Sequence, residues 1–405
     1  MKPIVRAGRM KPVHSDIRGP LFVEAMKRQK QGIDILKLHT GNPATFGFGL
    51  PDSIKNALME HMQDGVGYCD FKGMPQARQA ICDYETSKGI KGITPDDVFI
   101  GNGVSEVVSF ALTPLLNDGD EVLVPSPSYS LWGNSVYLED GKPVFYTCDE
   151  QANWYPDIQD IRSKITDKTK AIVIINPNNP TGVLYPKEIL LEIIQVAREF
   201  GLLIFADEIY DRLVMDGKQH ISLASLTEDV PVITLNGLSK SHCLCGYRCG
   251  WMVISGPREL TEDYRQGIIQ LTSLRLCANT MAQIVIPAAL DDMETPASMV
   301  RPGGRIYEQR EATVRELEKI DGLSFVKNDA AFYVFPKLDV KKFNITNDKQ
   351  FAHDLLDATN ILLVPGSGFD WKDPDHFRIV MLPQADILSD AIRRMGTFLD
   401  GYKQK

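Results

Sequence analysis

No Lys/Arg block interrupts this 405-residue chain, whose formal net charge is −9. Nucleic-acid binders gather basic residues on one face. The balance here points instead to small-molecule chemistry, with neither nucleic acid nor membrane as partner. Long apolar runs are also missing. "AIVIIN" (171–176) and "LLIFA" (202–206) are the strongest, far short of the about 20 residues a membrane helix needs. The N-terminal "MKPIVRAGRMKPVHSDIRGP" lacks an apolar h-region, so no secretory leader is expected. Cysteines number only seven. An odd count in a long chain without a leader predicts free thiols in the cytoplasm rather than a disulfide framework.

Several catalytic signatures are absent as well. The seven histidines form no H-x-x-H or H-E-x-x-H pair, which removes the zinc-protease pattern. "SPSYS" (126–130) lacks the G-x-S-x-G elbow of serine hydrolases. "GNGVSE" (101–106) opens like a dinucleotide fingerprint, but Glu106 stands where the third glycine belongs. Cys243, Cys245 and Cys249 crowd the stretch "LSKSHCLCGYRCGW" (238–251). Structural zinc wants paired C-x-x-C units and a fourth ligand, so these thiols are read as small packing residues.

What is present is an ordinary folded composition, 43% hydrophobic and 24% charged. A chain this long exceeds one core. The expected division is an N-terminal arm at 1–48 joining a small domain, a large domain at 49–300 and a small C-terminal domain at 301–405. The middle of the chain alternates apolar strand-like runs with helical patterns. Strands are predicted over 121–127, 142–148, 202–210, 230–240 and 250–255, and 170–182 reads as a buried strand running into a Pro/Asn/Gly turn. A helix is predicted over 186–201, with Pro186 at its start and Gly201 at its end. Apolar strands separated by helices make a mostly parallel sheet covered on both faces. After residue 305 an amphipathic helix and two half-buried strands, "AAFYVFPKL" and "HFRIVML", mark the α+β segment.

Three of the predicted strands end in polar residues: Asn179 in "NPNNPTG", Asp207 and Tyr210 in "ADEIY", and Ser239, Lys240 and Arg248 after "NGL". Ligand groups gather at such carboxyl ends. Each set alone has an ordinary reading, since asparagines beside prolines make turns and strand-end carboxylates cap or face solvent. Together they suit one ligand. A lysine amine condenses with an aldehyde, a carboxylate holds a proton on a pyridine nitrogen, a phenol and an amide bond a ring oxygen, and Arg and Ser near a helix start hold a phosphate. That ligand is pyridoxal 5'-phosphate.

The sequence resembles the class I (fold-type I) pyridoxal-phosphate aminotransferases along nearly its whole length. The likeness runs through "LKLHTGNP", "GYCDFKG", "GNGVSE", "PSPSYSLW", "INPNNPTG", "ADEIYD", "AAFYVFP" and "FRIVMLP". "DIRGP" and "SLRLCAN" are similar to the bacterial glutamate–pyruvate (alanine) aminotransferases. The resemblance implies an α/β fold with a mostly parallel seven-stranded sheet and a smaller α+β domain. It implies that Lys240 carries the cofactor and moves the substrate's proton, with Asp207 on the pyridine nitrogen. Tyr210 and Asn179 meet the ring oxygen and Tyr129 stacks on the ring. Val104 and Ser105 N–H groups, Ser239 and Arg248 hold the phosphate, helped by Tyr68 from a neighbouring subunit of a homodimer. Arg378 forks the substrate carboxylate beside Gly41 and Asn179. Arg18 and Arg275 are the two candidates for glutamate's distal carboxylate.

The sequence departs from the family pattern at Gly237, where a Ser or Thr is common, at Cys243 and Cys249, and at Ala330. The implied reaction is exchange of an amino group between L-alanine and 2-oxoglutarate. A valine, aromatic or aspartate donor, or a C–S lyase using the same lysine, are the alternatives. A ligand-sensing regulator would need an added DNA-binding module, for which 1–16 leaves no room.

Overall fold

A computed structural model describes residues 2–405. Its central sheet has eight strands: β1 (Val98–Asn102), β2 (Glu121–Ser126), β3 (Lys142–Asp149), β4 (Tyr155–Pro156), β5 (Thr169–Ile175), β6 (Leu203–Asp207), β7 (Val232–Gly237) and β8 (Cys249–Ser255). Their spatial order is β1-β8-β7-β6-β5-β2-β3-β4. The neighbours from β7 to β3 pair in parallel. β8 runs against both β1 and β7. The runs read from the sequence are six, without β1, and the resemblance implies a sheet of seven. The eighth is β4, whose two residues pair with Cys148 and Asp149 at the sheet edge. A dipeptide ending in proline leaves no alternation to read, and an edge is where a residue without an N–H is tolerated.

The strands are apolar on both faces because both are covered. Val122, Val124, Ala171, Val173 and Phe205 pack with helices α2 (Val104–Leu112) and α3 (Leu131–Leu138). The alternate residues Leu123, Ile172, Ile174 and Ile204 pack with α4 (Lys187–Phe200) on the other side. α4 buries Leu190, Ile193, Ile194 and Ala197, one stripe at helical spacing. The larger of these side chains contribute about 2 kcal/mol each. It stops at Gly201, whose φ of 66° is left-handed. α1 (Pro75–Ser87) lies against β1 and β8 through Ala77, Ile81 and Cys82, and α5 (Arg258–Arg275) follows β8.

Beyond residue 300, α6 (Arg305–Leu317), α7 (Asp348–Thr359) and α8 (Ala385–Leu399) surround a small sheet of β9 (Tyr333–Val334), β10 (Val364–Pro365) and β11 (Phe377–Val380) in the order β9-β11-β10. Leu36–Lys37 pairs with Ile361–Leu362, and Leu38 shares a core with Leu317, Phe351 and Ile379. The two strand-like runs here are not half-buried as their sequence suggests. Residues 330–336 and 376–383 are all buried. β11 touches two cores: Phe377, Ile379 and Met381 face one, Val380 and Leu382 the other. Arg378 is the one charged side chain inserted among them. No single helix among the described residues is long and apolar enough to cross a membrane.

Candidate active site

The carboxyl ends of β5, β6 and β7 open into a cavity of about 770 Å³. Gly41, Val104, Ser105, Tyr129, Asn179 and Asp207 line it, as do Tyr210, Ser239, Lys240, Arg248, Arg378 and Arg18. Residues from 18 to 378 thus meet at one place. For Tyr129, Asn179, Asp207, Tyr210, Ser239 and Lys240 the sheet is the reason, because parallel strands align their C-terminal ends and each following loop turns over the same edge; Arg18 and Gly41 come from the N-terminal segment and Arg378 from β11.

Asp207 ends β6 with its carboxylate buried. Trp132 Nε1 donates to its Oδ2 at 3.0 Å, and the Ile209 N–H approaches Oδ1 at 3.4 Å. Burial pushes the Asp207 carboxyl up to about 6, the charge on Glu208 adds to the rise, and Trp132, the Ile209 N–H and Lys240 oppose it. Glu208 points to the opposite side, where Ser222 Oγ donates to its Oε1 at 2.9 Å. β7 runs into a four-residue helical turn, Leu238–Ser241, that presents Lys240. Lys240 Nζ donates to the Gly41 carbonyl at 3.1 Å.

A cationic cradle lies at the start of α2. Gly103 caps it with φ 83°, and a Cβ there would stand 2.3 Å from Arg248 Nη2. Only glycine lets the guanidinium lie against this turn. The first N–H groups of α2 have no partner inside the helix, so Val104 and Ser105 offer donors beside Arg248. Arg248 Nη1 also donates to the Cys245 carbonyl at 3.0 Å.

Arg378 is buried, with Nη1 donating to Asn179 Oδ1 at 2.9 Å and Nη2 to the His39 carbonyl. The rings of Tyr333 and Phe369 each lie 4.6 Å from the guanidinium carbon. Its Nε, buried, has no partner. Burial lowers the Arg378 pKa, but a guanidinium keeps its proton. Burial, reinforced by Arg378, pushes the neighbouring His39 imidazole down to about 3, so it is neutral.

Three residues of this region carry no signal of their own in the sequence. Trp132 fixes Asp207. Tyr333 holds the Tyr210 hydroxyl at 2.9 Å and lines the cavity. His39 supplies the carbonyl under Arg378. Trp132 and Tyr333 lie inside the motifs "PSPSYSLW" and "AAFYVFP", but spacing does not say which way they face.

Two expected residues stand apart. Tyr68 is 82% exposed and does not line the cavity. Arg275 also lies off it, with Nη1 2.5 Å from Glu106 Oε2 and Nη2 donating to the Phe71 and Ile100 carbonyls. Its fork is taken up within its own chain. The cysteines scatter in role. Cys249 is buried in the core beside β1, Cys245 Sγ donates to Asn42 Oδ1 at 3.2 Å on the cavity wall, and Cys243 Sγ lies 3.9 Å from the Lys240 carbonyl.

An amine, a carboxylate, a phenol and the guanidinium groups of Arg18, Arg248 and Arg378 meet in one cavity. Comparison with known proteins gives the family. Residues 33–392 match the family model described as aminotransferase class I and II. A glutamate–pyruvate aminotransferase of Haemophilus influenzae is 49% identical over 404 residues, covering 100% of both chains. An alanine aminotransferase of Mycobacterium bovis is 45% identical, covering 100% of this chain and 94% of the relative. The fold superposes on an Escherichia coli aminotransferase crystal structure with TM-score 0.98 and 46% identity, covering 100% of both. For the alanine aminotransferase of Pyrococcus furiosus the TM-score is 0.93 and the identity 40%, covering 98% of this chain and 100% of that one. With family model and full-length relatives in accord, this chain is a member of the class I and II aminotransferases.

Proposed function

We propose that this aminotransferase uses pyridoxal 5'-phosphate to move an amino group between L-alanine and 2-oxoglutarate, giving pyruvate and L-glutamate. The observation that carries the reading is the convergence of Lys240, Asp207 and the Gly103–Arg248 cradle on one cavity. The names of the Haemophilus and Mycobacterium relatives support the substrate pair.

The residues fit that cofactor. Asp207 is a buried carboxylate with a matching charge need, Gly103 leaves the volume a phosphate and Arg248 require, and Lys240 Nζ stands on the same wall. When bound, the cofactor supplies an electrophilic carbon and a ring that draws electrons from the substrate. The chain supplies the rest. Lys240 Nζ takes the proton from the substrate's Cα and returns it, with the Gly41 carbonyl as its resting acceptor. Tyr210, ordered by Tyr333, and Asn179 donate to the ring oxygen. Val104, Ser105, Ser239 and Arg248 hold the phosphate. Arg378 binds the α-carboxylate in two prongs, and the vacant hydrogen-bonding capacity of its Nε agrees with that use.

Glutamate brings a second carboxylate. We assign it to Arg18, which lines the cavity and, among the described residues, pairs with no carboxylate. Tyr68 serves the phosphate of a second copy's site. Exposed Met59, Met62, Val66, Leu274 and Leu276 lie in the segments around Tyr68 and Arg275, which supports a homodimer. Seven unpaired thiols support a cytoplasmic setting.

The test has two parts. Purified protein with added pyridoxal 5'-phosphate is expected to absorb as a protein-bound Schiff base, and borohydride is expected to fix the label on Lys240. A panel of amino donors against pyruvate and 2-oxoglutarate is expected to rank alanine and glutamate first. A preference for valine, aromatic or aspartate donors overturns the substrate pair. Pyruvate and ammonia from cystathionine, with no acceptor present, establishes a lyase instead.

A further inference from the structure

Beneath the cavity lies a charged knot that the reaction does not use directly. Lys88, just past the end of α1, has a side chain only 12% exposed. Its Nζ stands 2.8 Å from Glu85, 2.7 Å from Glu208 and 3.1 Å from Asp211. One ammonium therefore serves three carboxylates. Glu208, Asp211 and His220 present ligand atoms within 4.8 Å of one another, as a metal site would. The Lys88 ammonium already sits against both of those carboxylates, so the knot carries its own cation.

The placement of the three carboxylates is informative. Glu208 and Asp211 bracket the segment that carries Tyr210, and Glu208 directly follows Asp207. Asp211 Oδ2 also accepts from Asn236 Nδ2 at 2.7 Å, and Asn236 lies four residues before Lys240. Glu85 Oε1 accepts from Trp251 Nε1 at 3.2 Å, three residues after Arg248. A single cation so joins the three segments that present Asp207 and Tyr210, Lys240, and Arg248. Leaving buried carboxylates without it is costly.

We propose that Lys88 is a positioning residue for amino transfer: its ammonium holds Glu208 and Asp211, and through them fixes how Asp207 and Tyr210 meet the cofactor. The proposal rests on the cofactor reading above. Lys88 acts on charge as well as place. Glu208 is the nearest carboxylate to Asp207 along the chain, and its charge makes the Asp207 carboxyl easier to protonate. Lys88 offsets that charge. The other charged or titratable groups facing the knot are Tyr84, whose hydroxyl donates to Asp211 at 2.5 Å, Arg212, whose guanidinium lies over the Tyr84 ring, and neutral-leaning His220.

Two variants test it, Lys88→Met and Glu208→Gln. The readouts are the acid limb of kcat/KM against pH and the affinity of the apoprotein for pyridoxal 5'-phosphate, followed by fluorescence quenching. Lys88→Met removes the offsetting charge, so the acid limb is expected to move to higher pH and cofactor affinity to fall about tenfold or more, a ratio equal to one pK unit of interaction. Glu208→Gln removes the charge itself, so the limb is expected to move to lower pH. General loosening of the fold does not shift the limb in opposite directions. Shifts of the same sign, or no shift in either variant, overturn the proposal. If Lys88→Met does not fold, Glu208→Gln alone decides: a limb at lower pH supports the coupling, and an unmoved limb refutes it. Wild-type protein that binds no cofactor would refute the functional reading instead, so the two failures are distinct.

Discussion

Trp132 donates its indole N–H to the buried carboxylate of Asp207 at 3.0 Å, from a helix seventy-five positions earlier in the chain. The bond holds the carboxylate in one orientation and favours its ionised form. Trp132→Phe keeps the ring and removes the donor. A hydrogen bond to a charged group is worth about 1.5–3 kcal/mol, so kcat/KM is expected to fall about tenfold or more. Losing a donor to the anion raises the Asp207 pKa beyond about 6, so the acid limb moves to higher pH. A variant with wild-type rate and profile would show that the bond is only structural.

Arg378 lies between two aromatic rings and binds Asn179 and the His39 carbonyl. Lysine carries the charge but not the planar fork. Arg378→Lys is expected to raise KM for every amino and oxo acid by about 10–100-fold, the cost of losing a two-pronged ionic contact. Steady-state kinetics with alanine, glutamate, pyruvate and 2-oxoglutarate checks this. A rise confined to glutamate and 2-oxoglutarate would move Arg378 to the distal carboxylate.

Arg18 and Arg275 are expected to behave oppositely. Arg18→Ala should raise KM for glutamate and 2-oxoglutarate and leave alanine and pyruvate nearly unchanged. Arg275→Ala should leave the ratio of those KM values in place and lower stability by about 2 kcal/mol, because Glu106 loses its cation, though not its bonds from Asn102, and two carbonyls lose a donor. Denaturant melts alongside the kinetics separate the two. A selective loss of glutamate in Arg275→Ala would reverse the assignment.

His376 gives a pH dependence of stability. Its Nδ1 lies 2.7 Å from Asp375 and its Nε2 3.4 Å from Glu150, with the ring stacked on Phe335. The two carboxylates raise its pKa against the opposing pull of burial. Stability from the imidazolium is therefore complete below the ordinary histidine value and is lost as pH rises through the raised one. Asp375 works the other way. Held down to about 2 chiefly by the His376 hydrogen bond, it contributes above the ordinary carboxylate value and is lost as pH falls. Tm should thus decline on both sides of a mildly acidic plateau. His376→Gln is expected to flatten the alkaline decline, and an unchanged slope would disprove the assignment.

The sequence made much of the sheet readable because its strands are apolar on both faces and bounded by turns. Strand ends singled out Asp207 and Lys240, which the fold brings to one cavity, whereas Arg378, inside a strand, came from the resemblance alone. The sequence left out what depends on direction. β4 is too short for a period, β11 faces two cores at once, and Trp132 and Tyr333 are ordinary aromatics until their orientation is known. Arg275 shows the same limit from the other side. A motif placed it near the site, but only the fold shows its guanidinium held by Glu106. Lys88 is fainter still, one of two lysines in "SKGIKG", with one carboxylate three residues back at Glu85 and two, Glu208 and Asp211, from a single distant segment.

The bonds from Lys240 to Gly41 and from Arg378 to Asn179 each span 199 positions of sequence. Such contacts close large loops, whose entropy cost is met only when distant segments are ordered together. The cavity therefore belongs to the whole fold and to no single segment. A chain that ends before residue 378 can hold every strand of the large sheet and still lack Arg378. Cleavage or truncation that spares the sheet is expected to abolish activity while leaving most secondary structure in place, as circular dichroism beside an activity assay would show.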